Sequence, residues 1–359
     1  MDMASSTPMA CVAITGVSGA LGRRVVALLA ERADWDVIGV DIAPFPAGVA
    51  KPRRFIVHQV DLRSVDLRRV LKGADVVVHL ATFDRDAGDV HRDDDAVTRK
   101  VLEAAEANGV QSLVVLSSAA VYGAHADNPV PMTEASPLRP NPGFRYASDK
   151  IDLEDAANQW RRSNPASAVA VLRPAPTMGD PDAQAWLAGA VRPSFIDRVS
   201  QPLPSMQFVH VEDVASAVVH AVEHRLDGCY NVGPADWIGG DEAPELLGPA
   251  FRFPLPVWAV DVANRLARLK PGRRPAGAMP YSRSPWVVAV DRLRATGWSP
   301  QSTSAEAFVA SERPSAASRF AARHRQEVTL GIVATAAIAV VGVAGWLITR
   351  SRRRRRGGR

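Results

Sequence analysis

Between residues 11 and 120 the chain alternates short apolar runs with longer amphipathic stretches. Cys11–Thr15 reads as a first strand, followed by a glycine-containing turn and a helix near Ala20 to Arg32. Asp36–Asp41, Arg54–Val60 and Asp75–Ala81 read as the next three strands. The run Asp75–Ala81 is almost wholly apolar, as expected of a strand covered on both faces. A helix is predicted over about His91 to Asn108, and Ser112–Ser118 is a further buried strand. This βαβ rhythm predicts an α/β fold with a doubly wound parallel sheet of the Rossmann type. A second part, predicted to be a smaller substrate region, continues from about residue 176 to 305, with some of its strands returning to the main sheet.

The C-terminal pattern is different. Val328 to Thr349 is a run of 22 uncharged residues. As a helix it would span roughly 33 Å, enough for a hydrocarbon core of about 30 Å. Trp346 lies near one end and arginines flank both sides, which suits an interface better than a protein core. The expected organisation is a Rossmann domain at 9–175, a substrate-binding region at 176–305, a linker at 306–327, a transmembrane helix at 328–349 and a basic tail at 350–359. Gly331, Thr335 and Ala339 share a face of that helix and would allow two copies to approach, so a homodimer is compatible with the pattern. Pro254 to Leu269 reads as an amphipathic helix, either a lid over the substrate region or a membrane-surface helix.

Charge sharpens the picture. The net charge is +5, but seven arginines lie in the last ten residues. Elsewhere the remaining 36 of the 43 basic residues face 38 acidic ones, so no basic groove for nucleic acid is expected. By the positive-inside rule the tail would be cytoplasmic and the body outside. Met1–Pro8 lacks a basic segment leading into an apolar core, which argues against export. The body is therefore expected on the cytoplasmic side of a membrane. Two cysteines, Cys11 and Cys229, exclude a disulfide scaffold, and no metal site is expected.

Candidate chemistry lies at the strand ends. Gly16, Val17, Ser18, Gly19, Ala20, Leu21 and Gly22 form a turn between the first strand and helix. Glycines there permit close backbone approach to a pyrophosphate, and the helix N-terminus supplies amide donors. Asp41 ends the second strand, where a carboxylate can accept from ribose hydroxyls and repel a 2′-phosphate, favouring NAD over NADP. Tyr146 and Lys150 are four residues apart on a predicted helix and share a face. A nearby ammonium makes a phenol a better acid/base. Ser117-Ser118-Ala119-Ala120-Val121-Tyr122-Gly123 closes the fifth strand, and a serine hydroxyl there can orient a substrate oxygen.

The GxxGxxG spacing, the SSxxVYG segment and the YxxxK pair together resemble the extended short-chain dehydrogenase/reductase superfamily, in its NAD-dependent epimerase/dehydratase branch. The resemblance covers roughly residues 10 to 305. It implies a catalytic set of Ser118, Tyr146 and Lys150. It also implies cofactor contacts at Asp61 and Leu62 after the third strand, at Leu80 and Ala81 in the His79-Leu80-Ala81 segment, at Tyr146 and Lys150, and at Pro174 in Leu172-Arg173-Pro174. Phe208 to Val214 resembles the family's FVHVDDV segment leading into a helix at Ala215 to Glu223, with His210 read as structural. Leu293 to Pro300 resembles its LGWxP element.

Three positions depart from the family pattern. Asp93-Asp94-Asp95 stands where an asparagine is common, Pro176 where nucleotide-sugar enzymes carry an asparagine, and Pro204-Ser205-Met206-Gln207 where they carry an arginine. These changes remove polar groups that handle a diphosphate. The expected activity is hydride transfer at a secondary alcohol or ketone of a sugar or a hydroxysteroid-like lipid alcohol. Alternatives are a nucleotide-sugar epimerase or dehydratase with tightly held NAD, and a non-catalytic NAD-binding membrane scaffold.

Overall fold

The computed structural model describes residues 10–32, 35–81, 91–180, 203–242 and 277–310, with only the backbone of 91–94. The chain divides into a unit ending at Ser311 and a C-terminal unit beginning at Glu312, which lies outside the described residues.

The elements in chain order are β1 (Ala10–Thr15), α1 (Ala20–Ala30), β2 (Trp35–Asp41), β3 (Phe55–Gln59), α2 (Leu67–Val70), β4 (Val76–His79), α3 (His91–Ala107), β5 (Ser112–Leu116), a 3₁₀ turn (Ala119–Tyr122) and α4 (Arg145–Ser163). They continue with β6 (Ala168–Pro174), β7 (Thr177–Met178), β8 (Val209–His210), α5 (Val211–Glu223), β9 (Gly228–Val232), a 3₁₀ turn (Met279–Ser282), α6 (Asp291–Arg294) and α7 (Ser304–Ala310).

Seven strands form one parallel sheet in the order β3-β2-β1-β4-β5-β6-β9. β1 lies between β2 and β4, so the order reverses there. A crevice opens at such a switch point, beyond the C-terminal ends of the strands. One face of the sheet is covered by α1 and α5, through Val25, Val26, Leu29, Val214, Val218 and Val222. The other is covered by α2, α3 and α4, through Val97, Val101, Leu153 and Trp160. Every residue of β4 and β5 is buried, because helices cover both faces. β3 and β9 are the edge strands, and Ile56 of β3 is 58% exposed. A third apolar cluster packs Tyr122, Phe144, Tyr146, Phe208, Tyr281, Trp286 and Phe308.

The predicted strands all form, some trimmed by a residue or two. Two expectations need revision. First, α5 begins at Val211 and not at Ala215. The His210 ring caps it, with Nδ1 accepting from the Glu212 N–H at 3.3 Å. Asp213, in the first turn, accepts from the Gln301 and Ser302 amides at 2.7 and 3.1 Å and so ties the C-terminal segment to α5.

Second, packing continues past residue 305: α7 buries Phe308 against Phe208, with ring centroids 5.1 Å apart. A strand from beyond residue 175 returns to the main sheet, as expected: β9 lies beside β6 and pairs Pro174 with Val232.

The amphipathic stretch 254–269, the linker from 311 onward, the span 328–349 with Gly331, Thr335 and Ala339, and the tail 350–359 lie outside the described residues. Among the described residues, no helix is long and apolar enough to cross a membrane.

Candidate active site

The glycine turn follows β1 at the switch point. Gly16 has φ +74°, and a Cβ built on it would stand 2.8 Å from the Ala81 backbone nitrogen. A Cβ on Gly22 would lie 2.3 Å from the Gly16 carbonyl oxygen. No larger residue fits either position without moving backbone. Gly19 caps α1 in an extended conformation with no side-chain cap, so the first amides of α1 remain available to an external anion.

Asp41 is built into the same loop. Its Oδ2 accepts from the Ser18 amide at 2.9 Å and its Oδ1 from the Ala43 amide at 3.0 Å. Ser18 Oγ in turn donates to the Ala43 carbonyl at 2.9 Å. An ionised carboxylate offers about four lone-pair sites. The two backbone bonds orient Asp41 and leave capacity for ribose hydroxyls. The crowded glycines, the uncapped helix start and this oriented carboxylate fit a dinucleotide.

Of the other expected cofactor positions, Leu80 and Ala81 lie beside this loop, whereas Asp61 and Leu62 follow β3 and Pro174 ends β6. The Leu80 amide donates to the Thr15 carbonyl at 3.2 Å, and the Ala81 amide to Thr15 Oγ1 at 3.4 Å. Leu62 is buried, and Ala20 and Leu21 are half-buried in the first turn of α1. Asp61 is held by Arg63, whose Nε and Nη2 approach Oδ2 at 3.0 and 2.7 Å. That guanidinium and the Arg63 amide hold the Asp61 carboxyl below the usual carboxylate range. Pro174 ends β6 at the same edge of the sheet.

His79 is fully enclosed. Its Nδ1 lies 2.7 Å from Thr15 Oγ1 and its Nε2 3.3 Å from Thr98 Oγ1. Burial, and secondarily the charge of Lys150, push its pKa down to about 3. A neutral imidazole therefore bridges the end of β1 to α3.

α4 carries both Tyr146 and Lys150 on its inner face, where each is buried. Lys150 Nζ donates to the Leu116 carbonyl at 2.8 Å and lies 5.9 Å from the centre of the Tyr146 ring. Ser118, two residues beyond Leu116, caps the 3₁₀ turn by accepting from the Ala120 amide at 3.2 Å. That bond leaves the hydroxyl proton for a substrate oxygen. The structure thus brings the end of β5, the turn after it and the first turns of α4 into one buried cluster.

Glu154 and Ser117, which lie just behind this cluster, are not singled out by sequence reasoning. Glu154 sits one turn past Lys150 on the same buried face, and that spacing is the available signal. Its partner Arg173 stands out in the sequence only as part of the Leu172-Arg173-Pro174 segment.

The positions that depart from the family pattern are built into the fold. The Pro176 carbonyl accepts from the Val209 amide at 3.0 Å, joining β8 to β7. Met206 bridges to Ile238, and Gln207 bonds the Pro234 and Val288 carbonyls and the Val288 amide. Asp180 is clasped by Arg23 at 2.5 Å and Arg24 at 2.6 Å. Among the described residues no group of three metal-binding side chains occurs.

Comparison with known proteins gives the family and the fold. Residues 12–233 match the model of the NAD dependent epimerase/dehydratase family. An uncharacterized protein of Mycobacterium tuberculosis (strain ATCC 25618 / H37Rv) is 28% identical over 319 residues, covering 83% of this chain and 82% of its own length. The N-acetyl-alpha-D-glucosaminyl-diphospho-ditrans,octacis-undecaprenol 4-epimerase of Escherichia coli O157:H7 is 32% identical over 126 residues, 32% of this chain and 34% of its own. The fold is similar to that of the Thermus thermophilus UDP-glucose 4-epimerase in complex with NAD. There the TM-score is 0.60 and the identity 24%, covering 84% of this chain and 97% of that one. The cofactor is NAD.

Oriented in this way, Asp41 would repel a 2′-phosphate, so the protein is expected to bind NAD at least about tenfold more tightly than NADP, roughly 1.4 kcal/mol. Titration of each cofactor against tryptophan fluorescence measures this, and equal affinities would remove Asp41 from the ribose site. A further expectation concerns acid stability. The folded pKa of His79 lies below the ordinary value of 6.5, so the unfolded chain binds the extra proton first. Its contribution is complete above about pH 6.5 and is lost as pH falls toward 3. The slope approaches about 1.4 kcal/mol per pH unit within that window. Urea midpoints between pH 6.5 and 4 will fall less steeply for His79→Gln than for the parent chain; parallel slopes would show that His79 does not titrate on unfolding.

Proposed function

The chain belongs to the NAD dependent epimerase/dehydratase family, and from that premise we propose that it is an enzyme moving hydride at a secondary alcohol carbon of a sugar. The observation that carries this reading is the placement of Lys150 between the Leu116 carbonyl and the Tyr146 ring, two residues from Ser118. A non-catalytic scaffold would need none of these three side chains. NAD, when bound, supplies the hydride acceptor and donor. Tyr146 takes the proton of the substrate hydroxyl as the alcohol is oxidised and returns it when the ketone is reduced. Lys150 stabilises the phenolate during that exchange, and its bond to the Leu116 carbonyl keeps the ammonium in place. Ser118 donates to the substrate oxygen and orients it. If hydride returns to the opposite face of the ketone, the reaction is an epimerisation with no net change in cofactor.

A second reading concerns the carrier of that sugar. The Escherichia coli relative is named for a sugar on an undecaprenol diphosphate, and the present chain has 22 uncharged residues at 328–349. A lipid-linked sugar at the cytoplasmic face of a membrane accommodates both. The hydroxysteroid-like alcohol gains no support from these relatives.

Tyr146→Phe keeps the ring and removes the proton. Its turnover on a UDP-sugar will fall about 10²–10⁴-fold, while NAD affinity stays within about threefold of the parent. Absorbance of NADH followed through turnover will stay flat for an epimerase and rise for a dehydrogenase. Near-normal turnover of the Phe variant would overturn the mechanism.

For the anchor, carbonate-washed membranes will retain the full chain and release a chain ending at Arg313. Recovery of the full chain in the soluble fraction would remove both the anchor and the case for a lipid-linked substrate.

A further inference from the structure

Behind the reaction centre lies a buried polar cluster organised around one carboxylate. Glu154, 2% exposed, accepts from Ser117 Oγ at 2.5 Å, from Arg173 Nε at 2.9 Å and from Arg173 Nη2 at 2.6 Å. The other arm of Arg173, Nη1, donates to the Tyr122 hydroxyl at 2.8 Å, and Tyr122 donates to Asn231 Oδ1 at 2.8 Å. Asn231 is held in turn by the Ala289 carbonyl through its Nδ2 and by Glu134 Oε1 through its amide. Burial alone would lower the pKa of Arg173, but the bonds to Glu154 outweigh that and raise it, so the guanidinium stays charged.

Three members of the cluster neighbour a residue of the site. Ser117 precedes Ser118, Arg173 precedes Pro174, and Glu154 lies one helical turn from Lys150 and two from Tyr146. Successive side chains of an extended strand leave on opposite faces. Ser118 has extended backbone, at φ −161° and ψ 146°, so tying the Ser117 side chain to Glu154 sets where Ser118 points. Tyr122 ends the turn that Ser118 begins, so that turn is secured at both ends. Arg173 lies on β6 and Glu154 on α4, and a guanidinium fork on a carboxylate has a narrow geometry.

We propose that Glu154 and Arg173 are the positioning residues of the reaction centre, holding Ser118, the Tyr146–Lys150 face of α4 and Pro174 in one arrangement. The inference rests on the assignment of those site residues given above. Stability alone is a weak reason for such a pair. A buried ion pair can commonly be replaced by apolar groups of similar volume with little loss, whereas removing one partner leaves an uncompensated buried charge and is strongly destabilising.

That asymmetry supplies the test. Glu154→Gln combined with Arg173→Met removes the pair without leaving a buried charge, and Tyr122 keeps its bond to Asn231. Ser117→Ala, with Ser117→Thr as its conservative control, loosens the cluster and leaves the pair intact. Full-length protein is titrated with NADH alone, and thermal midpoint, affinity and fluorescence of the bound nicotinamide are read together. The expected result is a folded double variant with NADH affinity within about threefold of the parent, because the glycine turn and Asp41 are untouched. Its bound-NADH fluorescence will drop toward the free value. Ser117→Ala will lose part of the signal, and Ser117→Thr will recover it. Turnover on a UDP-sugar, where measurable, will fall about 10²-fold, as expected for misplacement by an ångström.

Parent-like NADH fluorescence in the folded double variant would falsify the proposal. If the double variant does not fold, parent-like fluorescence in Ser117→Ala overturns it and a loss restored by Thr supports it. Because NADH is the only probe needed, absence of turnover in the parent chain would count against the proposed reaction and leave this readout intact.

Discussion

A strand with helices on both faces has no water beside it, so its polar groups must meet partners within the protein or wait at its ends. That constraint shapes the whole sheet. β4 and β5 are buried from end to end and can carry little but aliphatic side chains. Polar chemistry is therefore pushed to the C-terminal edge of the sheet, where Gly16, Asp41, Leu80, Ser118 and Pro174 follow or end successive strands. The site is the one edge at which a parallel sheet can accommodate hydrogen-bonding groups.

Where charge does enter the interior, it is balanced locally. The carboxylate of Glu154 and the guanidinium of Arg173 neutralise each other. Asp180 is met by two arginines from α1. His79, close enough to Lys150 to sense its charge, stays neutral and uses both ring nitrogens on threonine hydroxyls. Lys150 is buried as well, with its ammonium over the Tyr146 ring. Away from bulk water, an ammonium influences a neighbouring phenol more strongly than it would at the surface.

The sheet is legible in the sequence because both-face burial leaves uninterrupted apolar runs, and the glycine turn because its spacing is local. Tyr146 and Lys150 are legible for the same reason, being one turn apart on one helix. Glu154 is harder to read: its spacing from Lys150 places it on the same helix face, but its partners Ser117 and Arg173 are 37 and 19 residues away. The start of α5 escapes sequence reasoning because its cap is an imidazole, outside the usual serine, threonine, aspartate and asparagine set. That β9 in particular pairs with β6 is not legible, because a strand that joins a sheet from far along the chain carries no sign of its neighbour.

That late strand also constrains how the chain is made. β6 ends at Pro174, yet its partner β9 begins only at Gly228. During synthesis, β1 to β6 can assemble while the far side of β6 is still an open row of amides and carbonyls. Such an edge recruits other strands, including those of neighbouring nascent chains. Once Val232 has left the ribosome β9 takes over as the outer strand, and α5, synthesised just before it, packs beside α1 on one face of the sheet. The segment between β6 and β9 therefore sets the interval during which the seven-residue β6, and not the five-residue β9 beside α6, is the strand left unpaired.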